Sequence, residues 1–138
     1  MNIENATKVV KFGDQYFSSL KSKPISESVK STENLHVAGQ MDEIHSAKYE
    51  GCSAIYYRIG PEKRILLQSL EITTNKVQLP FGIHVGAPKS SILKALGKPS
   101  SDKDGLLIYE CGDPYSETVC FTVSSGVVKA INWENEID

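Results

Sequence analysis

The chain has 138 residues, 40% of them hydrophobic and 23% charged, and its formal net charge is −2. This composition excludes a disordered or fibrous chain, and the scattered lysines and arginines argue against a nucleic-acid partner. No apolar run approaches the ~18 residues that cross a bilayer, so we expect one globular domain, residues 1–138, with no membrane partner.

The amino-terminal segment predicts an amphipathic helix over roughly residues 3–21. Its apolar side chains recur at steps of three and four, as one face of a helix requires. They are Ile3, Ala6, Val10, Gly13, Phe17 and Leu20. The serine-rich residues 22–34 predict a loop, and residues 35–50 follow neither the helical nor the strand period.

A β-hairpin is predicted next. CSAIYYRI and RILLQSLEIT are rich in β-branched and aromatic residues, and the turn formers of residues 60–63 separate them. A loop of these four residues places Tyr57 opposite Leu66 and Tyr56 opposite Leu67.

Residues 80–99 contain a second predicted helix, which is short, about ten residues. Pro88 stands at a first helical position, where a missing N–H costs nothing, and Gly97 followed by Pro99 predicts the end of the helix. Leu96 belongs to an apolar stripe at helical spacing. We therefore expect this helix to lie across the sheet formed by the residues that follow it.

The last part of the chain predicts a three-stranded antiparallel meander over residues 105–133. The expected loops are residues 112–115 and 125–126, and the expected cross-strand pairs include Tyr109–Thr118 and Phe121–Ala130. Together with the hairpin, the meander predicts an α+β fold. Its antiparallel β-sheet has about five strands, with two or three helices packed on one face.

The predicted register sorts the meander into two faces, and both carry apolar residues. The face assigned to the core holds Leu106, Ile108, Val119, Phe121, Val123, Val128 and Ala130. The opposite face holds Leu107, Tyr109, Thr118, Cys120, Ile131 and Trp133. A free face is normally polar, so we expect this one to be covered by the amino-terminal half of the chain or by a partner protein. A shift of one residue would exchange the faces.

No catalytic motif stands out, so we expect no enzyme, no cofactor and no metal site. The stretch GIHVGAPKS lacks the adjacent glycine and lysine of a phosphate loop, and His36, His45 and His84 share no metal-ligand spacing. The odd number of cysteines, without a C-x-x-C pair, favours a reducing compartment. Since the first residues do not resemble a signal peptide, we expect a cytoplasmic protein.

The segment Phe81–Trp133 resembles a module found in β-lactamase inhibitory protein and in the small outer-membrane lipoproteins of the barrel-assembly machinery. The matching positions are Gly82, Gly86, Leu96-Gly97-Lys98-Pro99, Tyr109, Gly126 and Ile131. The resemblance implies an α+β layer whose open sheet face docks against another protein and, in the inhibitory members, blocks an enzyme. No lipoprotein signal with its cysteine is present, so the expected function is that of an inhibitor or immunity protein that neutralises a toxin.

The predicted binding surface for a cognate toxin or enzyme domain surrounds the outward aromatic residues of the meander. Its predicted residues are Tyr109, Glu110, Asp113, Tyr115, Glu117, Trp133 and Glu134. Exposed tryptophan and tyrosine commonly carry much of the binding energy, and the carboxylates would steer a basic partner.

Two alternatives remain open from the sequence. One is a small-ligand module, with a pocket between helix and sheet lined by Tyr56, Tyr57 and Phe81. The other is a structural assembly subunit without catalytic activity.

Overall fold

The computed structural model describes residues 1–20, 22–60, 64–112 and 116–136. Each of its two α-helices is followed along the chain by a run of four strands. The elements are α1 (Ile3–Ser19), β1 (Ser26–Glu33), β2 (Met41–Tyr49), β3 (Cys52–Ile59), β4 (Arg64–Ile72), a 3-10 turn (Pro80–Gly82), α2 (Lys89–Leu96), β5 (Ser101–Lys103), β6 (Leu106–Cys111), β7 (Glu117–Ser124) and β8 (Val127–Asn135).

All eight strands belong to one antiparallel sheet, in the order β1-β2-β3-β4-β8-β7-β6-β5. The two helices contact each other on one face of this sheet: the Asn2 N–H donates to the Leu96 carbonyl at 2.8 Å, and the Asn5 amide donates to the Ala95 carbonyl at 2.9 Å. The predicted α+β class is confirmed, while the prediction of about five strands is too low.

Helix α1 forms because Asn2 caps its start and small or apolar residues face the sheet. The Asn2 side chain accepts from the Asn5 N–H, as a good N-cap does. The buried residues of the helix are Ala6, Val9, Val10 and Gly13. Ile3 lies outside this face and is 70% exposed, so the predicted apolar stripe is wrong at its first position.

Helix α2 follows the prediction closely. Pro88 is its N-cap and Gly97, with a φ of 74°, is its C-cap. Leu96 is fully buried, and the Tyr109 hydroxyl donates to the Gly97 carbonyl at 2.7 Å. That bond joins the end of α2 to β6.

The register of the predicted hairpin is confirmed. Tyr56 pairs with Leu67 and Tyr57 pairs with Leu66 across β3 and β4. Residues 61–63 of its expected loop lie outside the described residues. A bulge between Ile55 and Tyr56 then shifts the rest of the ladder by one residue.

The prediction of a loop over residues 22–34 is wrong, because β1 occupies Ser26–Glu33. This strand lies at the edge of the sheet, and seven of its eight residues are exposed. With no buried side chain it has no apolar alternation, which is the signal from which a strand is predicted.

The predicted register of the meander is wrong by one residue. Tyr109 pairs with Val119 and Phe121 pairs with Ile131. Ser116 belongs to the first loop, since Cys111 pairs with Glu117, and this extra residue moves β7 along β6.

At the second turn, a β-bulge has the same effect. Ser124 pairs with Val127, as the predicted two-residue loop requires, but the register shifts between Thr122 and Val123. Beyond the bulge every residue of β8 faces the other way from the prediction.

The corrected register changes which residues form the core. Val119, Phe121 and Val128 lie in the core as predicted. Leu107, Tyr109, Ile131 and Trp133, which we had assigned to the opposite face, are also core residues. Leu106, Ile108 and Ala130 are only half-buried, on the side away from the helices.

Candidate partner-binding surface

The two aromatic residues at the centre of the predicted surface lie inside the protein. Tyr109 is 0% exposed and Trp133 is 1% exposed. The indole N–H of Trp133 donates to the Val9 carbonyl at 3.0 Å, and its ring lies 6.2 Å from that of Phe12. The amino-terminal helix therefore covers them, and the expectation of an exposed aromatic patch is wrong.

The predicted acidic residues separate between the two faces of the sheet. Glu110 and Glu134 both pair with Thr118, so they share the face opposite the helices. Glu117 pairs with Cys111 and Asn135, and its side chain belongs to the helix-covered face. Asp113 and Tyr115 lie outside the described residues.

We call the side of the sheet opposite α1 and α2 the open face, because no described helix or strand lies on it. Cross-strand pairing brings its side chains into rows that run from β1 to β6. Its residues include Ser26, Ser28, Lys30, Thr32, Ile44, Ser46, Lys48, Ser53, Ile55, Tyr57, Leu66, Ser69, Glu71, Ser101, Lys103, Leu106, Ile108, Glu110, Thr118, Cys120, Thr122, Ala130, Asn132 and Glu134.

A concavity of about 490 Å³ lies on the open face between β1 and β8. The side chains around it are small and polar, apart from one isoleucine. Its open-face lining is Ser26, Ser28, Ser46, Lys48, Ser53, Ile55, Ser69, Glu71, Asn132 and Glu134. Ile55, at 36% exposed, is the large apolar side chain of this lining.

The charges around this concavity are distributed unevenly. Lys48 lies on the β2 side, and Glu71 and Glu134 lie on the β4 and β8 side. Short serine side chains between them leave the floor open to an incoming side chain. The surface thus offers hydrogen-bond donors and acceptors around an apolar centre.

Sequence reasoning missed this surface for a local reason. In β3, Ser53, Ile55 and Tyr57 alternate with buried residues. Because Ile55 and Tyr57 are themselves apolar or aromatic, the sequence does not show which face of the hairpin is exposed. The serines at positions 46, 53 and 69 could have indicated a polar face, because the pairing of β2, β3 and β4 places all three around Ile55.

A second polar cluster lies on the helix-covered face, between β1, β2 and β3. His45 Nδ1 lies 2.5 Å from Glu27 Oε1, and His45 Nε2 lies 3.1 Å from Glu43 Oε1. The Tyr56 hydroxyl donates to the same Glu27 oxygen at 3.1 Å, and its ring stacks on His45 at 4.7 Å. The hydrogen bond from His45 is the main cause that lowers the pKa of Glu27.

The contacts of this cluster link side chains of three strands to one another. Carboxylates only accept hydrogen bonds, so both nitrogens of His45 donate when the ring carries two protons. His45 is also 7% exposed, and both of its ring nitrogens lie within hydrogen-bond distance of a carboxylate oxygen. The cluster joins β1 to its neighbour β2 and to β3 beyond it.

The pocket predicted for a small ligand is not formed. Tyr56 is buried on the helix-covered face, its neighbour Tyr57 faces the opposite way, and Phe81 is 45% exposed in the 3-10 turn. These three side chains do not converge.

The cysteines are free thiols: Cys52 is buried, and Cys111 and Cys120 are half-buried. Burial raises the pKa of each, which favours the less reactive protonated thiol. Within residues 1–20, 22–60, 64–112 and 116–136, no group of three His, Cys, Asp or Glu side chains could hold a metal ion. No helix in the described part of the chain has the length and apolar character needed to span a membrane.

Comparison of the chain with known protein families, with curated proteins and with solved structures gives no match. The likeness of Phe81–Trp133 to the inhibitory-protein module therefore stays a prediction from the sequence.

Proposed function

We propose that this chain is a protein-binding inhibitor of the immunity type, which neutralises a cognate toxin or enzyme domain in the cytoplasm by direct contact. The observation that carries the proposal is the one-sided architecture. Both described helices pack on one face of an eight-stranded sheet, and no described helix or strand covers the open face.

The composition of the open face supports a protein partner. Ile55, Tyr57 and Leu66 lie close together on β3 and β4, and serines surround Ile55. Protein interfaces commonly combine a small apolar centre with a polar rim, and a few central residues carry most of the binding energy. Ile55 is therefore the expected anchor.

Charge around the concavity supports a partner that presents a basic group to its β4 and β8 side. Glu71 and Glu134 lie there on neighbouring strands, while Lys48 lies across the concavity from Glu71. Elsewhere on the open face the charges are mixed, since Lys30 lies on β1, Lys103 on β5 and Glu110 on β6. Complementary charges speed association and fix the orientation of a complex more than they add affinity. The Lys48 side of the concavity would then meet an acidic part of the partner.

The proposed function is binding without catalysis. Both ring nitrogens of His45 are occupied by carboxylates, and the raised pKa of the three thiols leaves them weak nucleophiles. Inhibition would follow from covering the active site of the partner.

The proposal expects the partner to be an enzyme or toxin domain encoded next to this gene, and the test measures the binding of two matched variants to that domain. Ile55→Arg places a charge at the centre of the open face, and Ile65→Arg places one on the helix-covered side, where Ile65 is 47% exposed. Binding is measured by calorimetry and inhibition by the activity of the toxin. We expect Ile55→Arg to raise Kd by about 30-fold or more, which is about 2 kcal/mol.

Ile65→Arg serves as the control and should bind and inhibit like the parent chain. Circular dichroism melting confirms that both variants fold. Equal affinity of Ile55→Arg and parent, or no binding by the parent, would contradict the proposal. Binding without inhibition would instead indicate the alternative, a structural assembly subunit.

A further inference from the structure

Strand β1 leaves one whole edge of the sheet unpaired. It lies at the end of the strand order and, among the strands of the described residues, pairs only with β2, through residues Ser26 to Glu33. The opposite edge is β5, which has three residues. Long free edges are templates for pairing with another strand, so the outer edge of β1 is the stronger docking surface of the two.

The hydrogen-bond pattern shows which residues offer their backbone to a new strand. The Asn34 N–H donates to the Gln40 carbonyl at 2.8 Å, in the same register that pairs β1 with β2. Even-numbered residues of β1 therefore point their N–H and C=O toward β2. Glu27, Val29, Ser31 and Glu33 point theirs outward.

A second copy of β1 can pair with this edge only in certain registers. A twofold axis normal to the sheet makes the two strands antiparallel and keeps the helices of both copies on the same side. Facing residues must then lie on the same face of the sheet. The axis therefore passes through a residue, and the candidates near the middle of β1 are Ser28, Val29, Lys30 and Ser31.

Charge selects among these axes. An axis at Lys30 would oppose two lysines and would also oppose Glu27 to Glu33, and like charges in such positions are destabilising. An axis at Val29 pairs Val29 with itself, Ser28 with Lys30 and Glu27 with Ser31. It opposes no like charges over residues 26–32, whereas axes at Ser28 or Ser31 pair a shorter stretch.

Two side chains fit the Val29-centred register. Val29 is 52% exposed, and pairing with its copy would remove apolar surface from water. The Glu27 carboxylate is held back over β2 by His45 and Tyr56. It does not project its charge across the edge.

We propose that two copies of this chain associate through β1, antiparallel and with Val29 on the twofold axis. Val29 and its copy exchange two backbone hydrogen bonds, and each Glu27 does the same with Ser31 of the other copy. The two open faces then form one continuous surface. This inference does not rest on the proposed function.

Cysteine cross-linking tests the register directly. Facing residues of a hydrogen-bonded antiparallel pair have Cα atoms about 5.5 Å apart, within the range that a disulfide spans. Val29→Cys should therefore give a disulfide-linked dimer under mild oxidation. Ser31→Cys is the matched control: its copies would lie about 13 Å apart along the strand and should not cross-link.

Reversible association is measured by sedimentation equilibrium of the parent chain and of Val29→Pro. The Val29 N–H points away from β2, so proline is tolerated there as on other edge strands. We expect a concentration-dependent dimer for the parent and a Kd at least about tenfold higher for Val29→Pro, with an unchanged melting temperature. A parent chain that is monomeric throughout, or Ser31→Cys cross-linking as fast as Val29→Cys, would overturn the proposal.

Discussion

Gly13 determines how closely α1 approaches the sheet. A Cβ at this position would lie 2.7 Å from Cγ of Trp133, much closer than carbon atoms pack. The ring cannot move aside freely, because Trp133 is 1% exposed and its N–H is bonded to the Val9 carbonyl. A missing side chain on the helix thus makes room for the largest side chain of the core.

Replacing Gly13 with alanine tests this contact. Helix propensity alone would favour alanine by about 1 kcal/mol. Overpacking a core costs about 1–3 kcal/mol, and a contact of 2.7 Å with a fixed ring belongs in the upper half of that range. We expect Gly13→Ala to lower the free energy of unfolding by about 1–2 kcal/mol, measured by urea denaturation. The control Lys11→Ala, at an exposed position of the same helix, should change it by less than about 0.5 kcal/mol. Equal or higher stability of Gly13→Ala would disprove the close contact.

At the scale of elements, β1 depends on side-chain bonds because it buries little. Glu27 provides them, through His45 Nδ1 and the Tyr56 hydroxyl. Its pKa is lowered below the ordinary 4.5, chiefly by the hydrogen bond from His45. A depressed carboxylate pKa stabilises the folded state above its unfolded value, and this stabilisation is lost as the pH falls through the folded value.

Glu27→Gln should remove this pH-dependent part of the stability. Urea midpoints measured from pH 7 to pH 3 should be lower for the variant at neutral pH, and the two curves should converge in acid as the parent protonates Glu27. Glu33→Gln, on the same strand, should follow the parent at every pH. A constant gap between Glu27→Gln and parent would show that the lost bonds do not depend on ionised Glu27.

The elements differ in how far they could be predicted from the sequence, and the reasons are physical. Helix α2 could be predicted because Pro88 and Gly97 mark its ends locally. Strand β1 could not, because its side chains are exposed and carry no period. The meander register could not either, since the bulge near Val123 has no local signal, and a one-residue shift exchanges the faces of a strand.

The candidate site was affected by the same error. Tyr109 and Trp133 were expected outside because β6 and β8 were placed one residue out of register, and they are core residues instead. Glu110 and Glu134 do lie on the open face. We therefore keep the proposal that one face of the sheet binds a partner, and we place Ile55, instead of Tyr109 and Trp133, at the centre of that face.

At the scale of the whole molecule, the helices and the core lie on one side of the sheet. The aromatic residues of the core are used to attach α1 and α2, as Trp133 and Tyr109 show. Around Ile55 the opposite side carries serines, Lys48, Glu71 and Glu134. In our account the first side maintains the fold, and the second is available for recognition.

Hydroxyl-radical footprinting of the complex with the toxin domain tests this division most directly, because it reports the solvent exposure of individual side chains on both faces at once. The account predicts that Ile55 and Tyr57 become protected on binding, while Ile65 on the helix-covered side keeps its rate of oxidation. Protection of Ile65 with Ile55 and Tyr57 unchanged would contradict it.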